Sequence, residues 1–403
     1  MKQLSLTTYV IALNNLRRKK GRSLSLILLS ALFSFMLFGG AILIKSLENG
    51  VTSLSNRLGA DIMAVPYGYE ADLQSALLRG EPSTFYFDSG VTDDVAGIEG
   101  VQRTSPQIYI ATLRAGCCSY PIQLIGYDPE TDFIIQPWLS SQVGDPLAEG
   151  DIYVGSSINA EPGQMLKFFG ITFRVAARLD KTGMGFDTSV FMNLDTARKA
   201  ARESERLQEN PVAQDENLIS SVMIKLANGY DVKEVANRIL QAYALEGVHV
   251  VVAKNVISDV SGSLNGLTVY IVILAAVLGV LSVVVLGVVF SVTFSERRKE
   301  FSLYRVLGAT KGKLAGLVMM ESVLISLAGS LSGIAAAALV VFPFSTYIQS
   351  IVNLPYLQPS VGVILAAAGI SFLISFLTGP LAALCTALKL GKFEIYTAIR
   401  ENE

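Results

Sequence analysis

The sequence predicts a membrane protein: four transmembrane α-helices, with a large extracytoplasmic α+β domain between the first and the second. Three observations carry this reading. Four apolar runs are each about twenty residues or longer, enough to cross a bilayer as helix. The 403-residue chain is 51% hydrophobic yet 16% charged, and its mean hydropathy is +0.47. That is too apolar for a soluble domain and too charged for a membrane bundle alone. The charge is also unevenly placed. Residues 1–22 hold six Lys/Arg and no acid, 293–313 hold six against two acids, and 47–262 hold sixteen against twenty-eight. Under the positive-inside rule the short basic segments are cytoplasmic, which puts 47–262 and the uncharged connection 343–360 outside, with both termini inside.

Residues 1–22 form an amphipathic lead-in. Tyr9, Ile11, Ala12 and Leu16 are its apolar members, and Arg17-Arg18-Lys19-Lys20-Gly21-Arg22 closes it. It reads as a short helix in the cytoplasmic interface with its basic end at the lipid headgroups, or as a plain positive-inside anchor. The apolar run Leu24 to Ile44 is too long for a signal-peptide core and lacks a small-x-small cleavage site after it. It is the first transmembrane helix, 23–46, with Gly39 and Gly40 suited to close helix packing.

Residues 47–262 read as the outer domain. Two parts of it repeat one pattern: Thr92 to Val101 leading into Gln107–Leu113, and Asp231 to Val248 leading into His249–Val252. Each is helix, then Glu-Gly-Val, then strand. In the second, Asp231 and Glu234 form an N-terminal capping pair. Val232, Val235, Ala236, Ile239, Leu240 and Tyr243 recur there at helical spacing. Strand 221–226 precedes it, completing β-α-β, and the two units read as split halves of one α+β domain. Between them 120–126, 151–154 and 165–176 are strands, Phe169-Gly170-Ile171 falls at a hairpin turn, and Asp195 caps a helix over 195–202.

The second transmembrane helix occupies 263–292, and Val269 to Val292 hold no charge. It passes into Thr293 to Lys313 with no turn signal between, so the helix is expected to continue into water, collared by solvated Glu296, Arg297, Arg298, Lys299 and Glu300. Phe301, Tyr304, Val306 and Leu307 leave an apolar edge, and Gly308 is a C-terminal stop. The third helix, 314–342, contains Glu321, roughly 10 Å from its start at 1.5 Å per residue. Glu321 is either a proton or substrate group or a helix-packing acid bonded to Ser or backbone. Gly329 and Gly333 form a Gly-x-x-x-Gly face. The fourth helix, 361–388, carries Gly379-Pro380 as a kink, and 389–403 is a cytoplasmic tail.

Glu296-Arg297-Arg298-Lys299-Glu300 followed by Arg305, Gly308, Ala309 and Thr310 resembles the signature loop of the FtsX/MacB-like permease family of ABC transporters, whose pattern reads ERR-x-E-x-x-x-x-R-x-x-GA-[TS]. The whole topology resembles that family too. More loosely, Gly163-Gln164, Thr182-Gly183, Asp187 and Val190-Phe191 resemble its MacB-type periplasmic core domain, and Ile395 to Glu401 resemble its terminal segment. The resemblance implies a non-catalytic permease subunit in the bacterial inner membrane. Its partners would be an ABC ATPase dimer carrying ATP and Mg, a second permease chain (identical or a sister), membrane lipid, and an extracytoplasmic adaptor or lipoprotein, but no nucleic acid. Glu296, Arg297, Arg298, Lys299, Glu300, Arg305 and Gly308 would couple ATP hydrolysis to mechanical work outside: efflux, export or lipoprotein release. Similar permeases often carry a Glu at the position of Glu321.

Other chemistries find little support. Gly308 to Leu314 is not a phosphate loop, because only three residues separate its glycines and Leu follows the Lys. No cofactor is expected in this chain. One histidine, His249, rules out a histidine metal cluster, and three cysteines give no disulfide framework. Cys385 reads as packing. Cys117-Cys118 are either two small turn residues or a soft-metal or thiol site, which leaves open a metal- or haem-handling permease. A further alternative is a scaffold that holds a cytoplasmic regulator and acts on an external partner such as a wall hydrolase.

Overall fold

The computed structural model describes residues 8–112, 122–135, 147–206, 217–243, 247–306, 309–345, 347 and 354–391. Two compact units emerge. One comprises Met1–Lys45, Asn265–Thr346 and Pro359–Glu403; the other comprises Ser46–Leu264 and Tyr347–Gln358.

The first unit is helical. Its four long helices, Lys20–Arg57, Ala253–Glu296, Lys311–Val341 and Val361–Gly391, are each long and apolar enough to cross a membrane. Small residues set their contacts. A Cβ on Gly333 would collide with the Ala31 carbonyl, and one on Gly329 with Ser30, so the Gly-x-x-x-Gly face lies against the first long helix. A Cβ on Gly379 would collide with Ser326, and the last helix runs through Pro380. Some polar groups inside are paired across helices: Ser34 Oγ donates to the Ser330 carbonyl at 3.0 Å, and Ser375 Oγ to Ser330 Oγ at 2.9 Å. The lead-in is a helix, Thr8–Arg18, with Ala12 fully buried in the same core as Leu286, Leu317 and Ile325. It is therefore part of the bundle and more than a headgroup anchor.

The second unit is built on eleven strands among the described residues: β1 Ile62–Pro66, β2 Phe87–Asp88, β3 Val101–Thr112, β4 Ile122–Tyr127, β5 Asp151–Val154, β6 Met165–Phe168, β7 Ile171–Arg178, β8 Ser189–Asn193, β9 Leu218–Ile219, β10 Ser221–Leu226 and β11 Val248–Val252. Nine form one mixed sheet in the order β11-β1-β10-β3-β4-β8-β5-β7-β6, and β2 pairs with β9. Alternation along β1 shows that both faces are covered: Met63 and Val65 enter one core, Ile62 and Ala64 the other. The repeated helix–strand pattern is realised. Helices Gly90–Ala96 and Val232–Tyr243 both bury their apolar residues in the second core, each followed by a glycine at positive φ, Gly100 (+100°) and Gly247 (+75°), and then a strand. Asp231 Oδ1 accepts from the Lys233 and Glu234 amides at 2.9 and 3.1 Å, the expected cap.

The β6–β7 hairpin turns at Phe169-Gly170, both at positive φ, as a tight two-residue turn requires. The cap of helix Leu194–Arg206 is a correction: Asn193 Oδ1, not Asp195, accepts from the Thr196 amide at 2.8 Å. Asp195 sits inside the first turn, where its charge still favours the helix dipole. Both long helices that flank the domain in sequence have a portion belonging to this unit. On one, Ala253, Val256 and Val260 enter the core at helical spacing; on the other, Leu54 does. The connection after the third long helix also contributes. The Tyr356 amide donates to the Gly183 carbonyl at 3.0 Å and the Leu357 amide to the Ser46 carbonyl at 3.0 Å, and Tyr356 is fully buried.

Candidate functional site

The expected continuous helix is interrupted. Helix Ala253–Glu296 stops, Arg297 forms a turn, and a short helix, Arg298–Val306, follows. Arg297 is buried at this turn. Its side chain is 6% exposed, so the collar is not uniformly solvated as expected. Its Nη1 donates to Glu321 Oε1 at 2.9 Å and its Nε to Glu300 Oε2 at 2.8 Å. Burial works against the charged guanidinium, but the Glu300 and Glu321 carboxylates outweigh it and hold the group above its ordinary value.

Glu321 is 2% exposed and accepts a second bond, from Asn15 Nδ2 at 2.7 Å. Its partners are an arginine and an asparagine, in place of the Ser or backbone expected of a packing acid. One carboxylate ties together three segments: the lead-in helix, the turn after the second spanning helix, and the third. Either side alone would be a buried unpaired group, and an isolated buried charge is very costly.

Around this pair the other expected residues divide. Glu296 is exposed and accepts from Lys19 Nζ at 2.8 Å. That bond, and the attraction of the same ammonium, lower its carboxyl below the usual range. Arg22 Nη1 donates to Thr293 Oγ1 at 2.7 Å. Arg298, Lys299 and Arg305 lie on or at the start of the short helix. Tyr304 packs partly into the bundle core, whereas Leu303 and Val306 are 60% and 73% exposed. Among the described side chains the apolar edge turned outward is therefore Leu303 and Val306; those of Phe301 and Leu307 lie outside the described ones. Thr310, the last residue of the signature pattern, also starts the third spanning helix as its cap: its side chain accepts from the Lys313 amide at 3.3 Å.

Asn15 was also missed. The signal was present, since Asn15 lies three residues after Ala12 and four after Ile11, a polar residue on the apolar face of the lead-in. Gly308, Cys117 and Cys118 lie outside the described residues. Among the described residues no group of three or more His, Cys, Asp or Glu could hold a metal. His249 lies in β11 with Nδ1 3.5 Å from Glu70 Oε1 and edge-on to Tyr67, a structural setting.

In the outer unit, Asp187, expected from the looser resemblance, is 4% exposed. Its Oδ1 accepts from the Thr182 amide and hydroxyl at 2.7 and 2.8 Å, and its Oδ2 from the Gly183 amide at 2.8 Å. The carboxylate thereby folds 182–187 into a closed loop. Gly183 sits at φ +74°, and a Cβ on it would meet the Tyr356 carbonyl at 2.8 Å.

Residues 272–388 match the family of FtsX-like permease C-terminal regions, and residues 30–242 match the MacB-like periplasmic core domain. An uncharacterized ABC transporter permease of Methanocaldococcus jannaschii is 23% identical over 177 residues, which cover 43% of this chain and 41% of that protein. The chain therefore matches about two fifths of that relative's length. The periplasmic region of MacB from Actinobacillus actinomycetemcomitans aligns over 52% of this chain and 98% of its own, with 9% identity and a TM-score of 0.32. The extracellular domain of the noncanonic ABC-type transporter YknZ from Gram-positive bacteria aligns over 48% and 98%, with 12% identity and a TM-score of 0.28.

Proposed function

The chain belongs to the FtsX/MacB-like permease family of ABC transporters, and on that premise we propose that it is a coupling subunit which turns ATP hydrolysis on a separate ATPase into motion of its outer domain. The observation that supports this most is the short helix Arg298–Val306. It is anchored at its start by the buried Arg297–Glu321–Asn15 cluster, while Leu303 and Val306 face solvent. A helix fixed at one end and apolar on its free side is suited to transmit a push from a partner protein. In this reading the signature residues are split in task. Arg297 holds the helix, while Glu296, Arg298, Lys299, Glu300, Arg305 and Gly308 belong to the docking surface and its ending.

The charge pattern supports a cytoplasmic position for this helix and an outside position for the acidic domain. Two such chains, identical or paired with a sister, would sit on an ATPase dimer that binds ATP and Mg. The chain would carry no catalysis of its own, and its cargo would be handled outside the bilayer. The test is Leu303→Asp combined with Val306→Asp, two exposed changes that leave the cluster intact. The expected outcome is loss of ATPase co-purification and of transport, with the thermal melt of the purified chain unchanged. Full co-purification of the ATPase with this variant would refute the docking role of the short helix.

A further inference from the structure

The basic run at the end of the lead-in helix is not used uniformly. Lys19 and Arg22 are bonded within the chain, to Glu296 and Thr293. Arg17 and Arg18 are exposed, and among the described residues neither has an ion pair or hydrogen bond. These two arginines line an open cleft of about 450 Å³, together with Ile11, Asn14, Asn15 and Tyr304. Ile11, Asn14, Asn15 and Arg18 recur at helical spacing, so one face of helix Thr8–Arg18 forms one wall, and Tyr304 of the short helix Arg298–Val306 forms another. Asn15 already spends a donor on Glu321. Two guanidinium groups, an amide and a phenol remain, with an isoleucine in the same lining.

We propose that this cleft binds the phosphate headgroup of an anionic phospholipid. Three features favour a lipid over other anions. Arginine matches phosphate with forked, charge-assisted bonds. The lining also includes the apolar Ile11, which a glycerol or acyl segment could contact. The same basic run leads directly into a spanning helix whose exposed Leu24 and Leu28 suit a lipid environment. The site adjoins Tyr304, so an occupied cleft brings a lipid against the short helix that the preceding section assigns to coupling. Lipid binding itself does not rest on that assignment.

The experiment is retention of phosphatidylglycerol by the full chain in detergent, followed by native mass spectrometry with no ATPase present. Phosphatidylcholine of the same acyl chains and inorganic phosphate are the comparisons. Wild type should retain phosphatidylglycerol in preference to phosphatidylcholine. Arg17→Gln with Arg18→Gln should weaken retention by about thirtyfold, the effect expected of two basic groups at an anionic surface. Lys20→Gln, two residues beyond the pair that lines the cleft, should weaken it by no more than a few-fold. Tyr304→Phe keeps the ring and removes one donor, and should give an intermediate loss. Equal retention of the two lipids, or wild-type retention by the double variant, would overturn the proposal. So would displacement of the lipid by inorganic phosphate at equal concentration, which would assign the cleft to a free phosphate. If the double variant kept its lipid but lost co-purification with an ATPase, the arginines would serve a protein partner and the proposal would fall.

Discussion

Asp187 in the outer unit and Glu321 in the helical unit are both carboxylates almost sealed from solvent, and they are satisfied in opposite ways. Every donor to Asp187 comes from residues no more than five positions away: two amides and a hydroxyl. The donors to Glu321 are 24 and 306 positions away, and one is a full positive charge. A locally satisfied acid shapes its own loop and asks nothing of the rest of the fold. A distantly satisfied one makes three segments depend on one another. The first kind of burial gives a rigid surface feature, the second a joint, and it is the joint that lies beside the short helix assigned to coupling.

The largest effect should follow from breaking the joint on one side. Arg297→Met leaves Glu321 buried without its charge partner and should destabilise the helical unit by about 3–5 kcal/mol, read as a lower melting temperature of the purified chain. Adding Glu321→Leu should recover most of that loss, because an apolar pair of similar volume is often as stable as the buried ion pair. The recovered double variant should nevertheless couple poorly, since the short helix loses its fixed start. If Arg297→Met melts like wild type, the pair is not a joint and the contrast with Asp187 fails.

A smaller and more confined effect is expected at Asp187. Asp187→Asn keeps the shape but sets an amide against one of the donors, with a cost of about 1–3 kcal/mol for a buried polar group left unpaired. Hydrogen exchange should rise in 182–187 and leave the amides of the helical unit unchanged. Gly183→Val should act on the same loop for a different reason: a left-handed conformation costs a non-glycine residue about 1–2 kcal/mol, and the new side chain meets the Tyr356 carbonyl. Spread of the exchange effect into residues 314–341 would show that the loop is not a local device.

How much of this the sequence disclosed follows the same division between local and distant causes. The apolar runs, the Gly329/Gly333 face, the Asp231 cap, the Phe169-Gly170 turn and the repeated helix–strand pattern are all set by neighbours in sequence, and each is present. The burial of Arg297 was hidden because its partner is Glu321, on another helix; read locally, five charged residues after an apolar run look solvated. Asn15 was hidden for the same reason, although a lone Asn on an apolar face marks a buried partner somewhere. Asn193 displaced Asp195 as cap because helix starts are settled by one or two residues, and both types are good caps. The short helix's outward edge was half legible. Tyr304, Val306 and Leu303 are all apolar, but which of them turns inward depends on the core formed by Leu314, Leu317 and Ala12.

The smallest effect should come from the residue next to Arg297. Lys19 and Glu296 form a 2.8 Å pair whose side chains are 47% and 55% exposed. Such a pair is screened by water and salt and contributes little to stability. Lys19→Ala should therefore leave the melting temperature unchanged, in contrast to Arg297→Met one residue beyond its partner. Its trace should appear only in the titration of Glu296. The lysine lowers that carboxyl's pKa in the folded chain, so whatever the pair contributes is present above the unfolded carboxylate pKa and disappears as pH falls through the lower, folded value. At neutral pH the pair is closed, and acidification below the ordinary carboxylate range opens it. In Lys19→Ala the Glu296 carboxyl should titrate at a higher pH than in wild type, as followed by carboxyl-carbon chemical shifts of a selectively labelled chain. High salt should move the wild-type titration in the same direction. An unshifted Glu296 titration in Lys19→Ala would show that the pair does not form in solution. A large drop in melting temperature would show that the collar acts as one unit, and the division drawn here between a buried joint and a solvated rim would have to be abandoned.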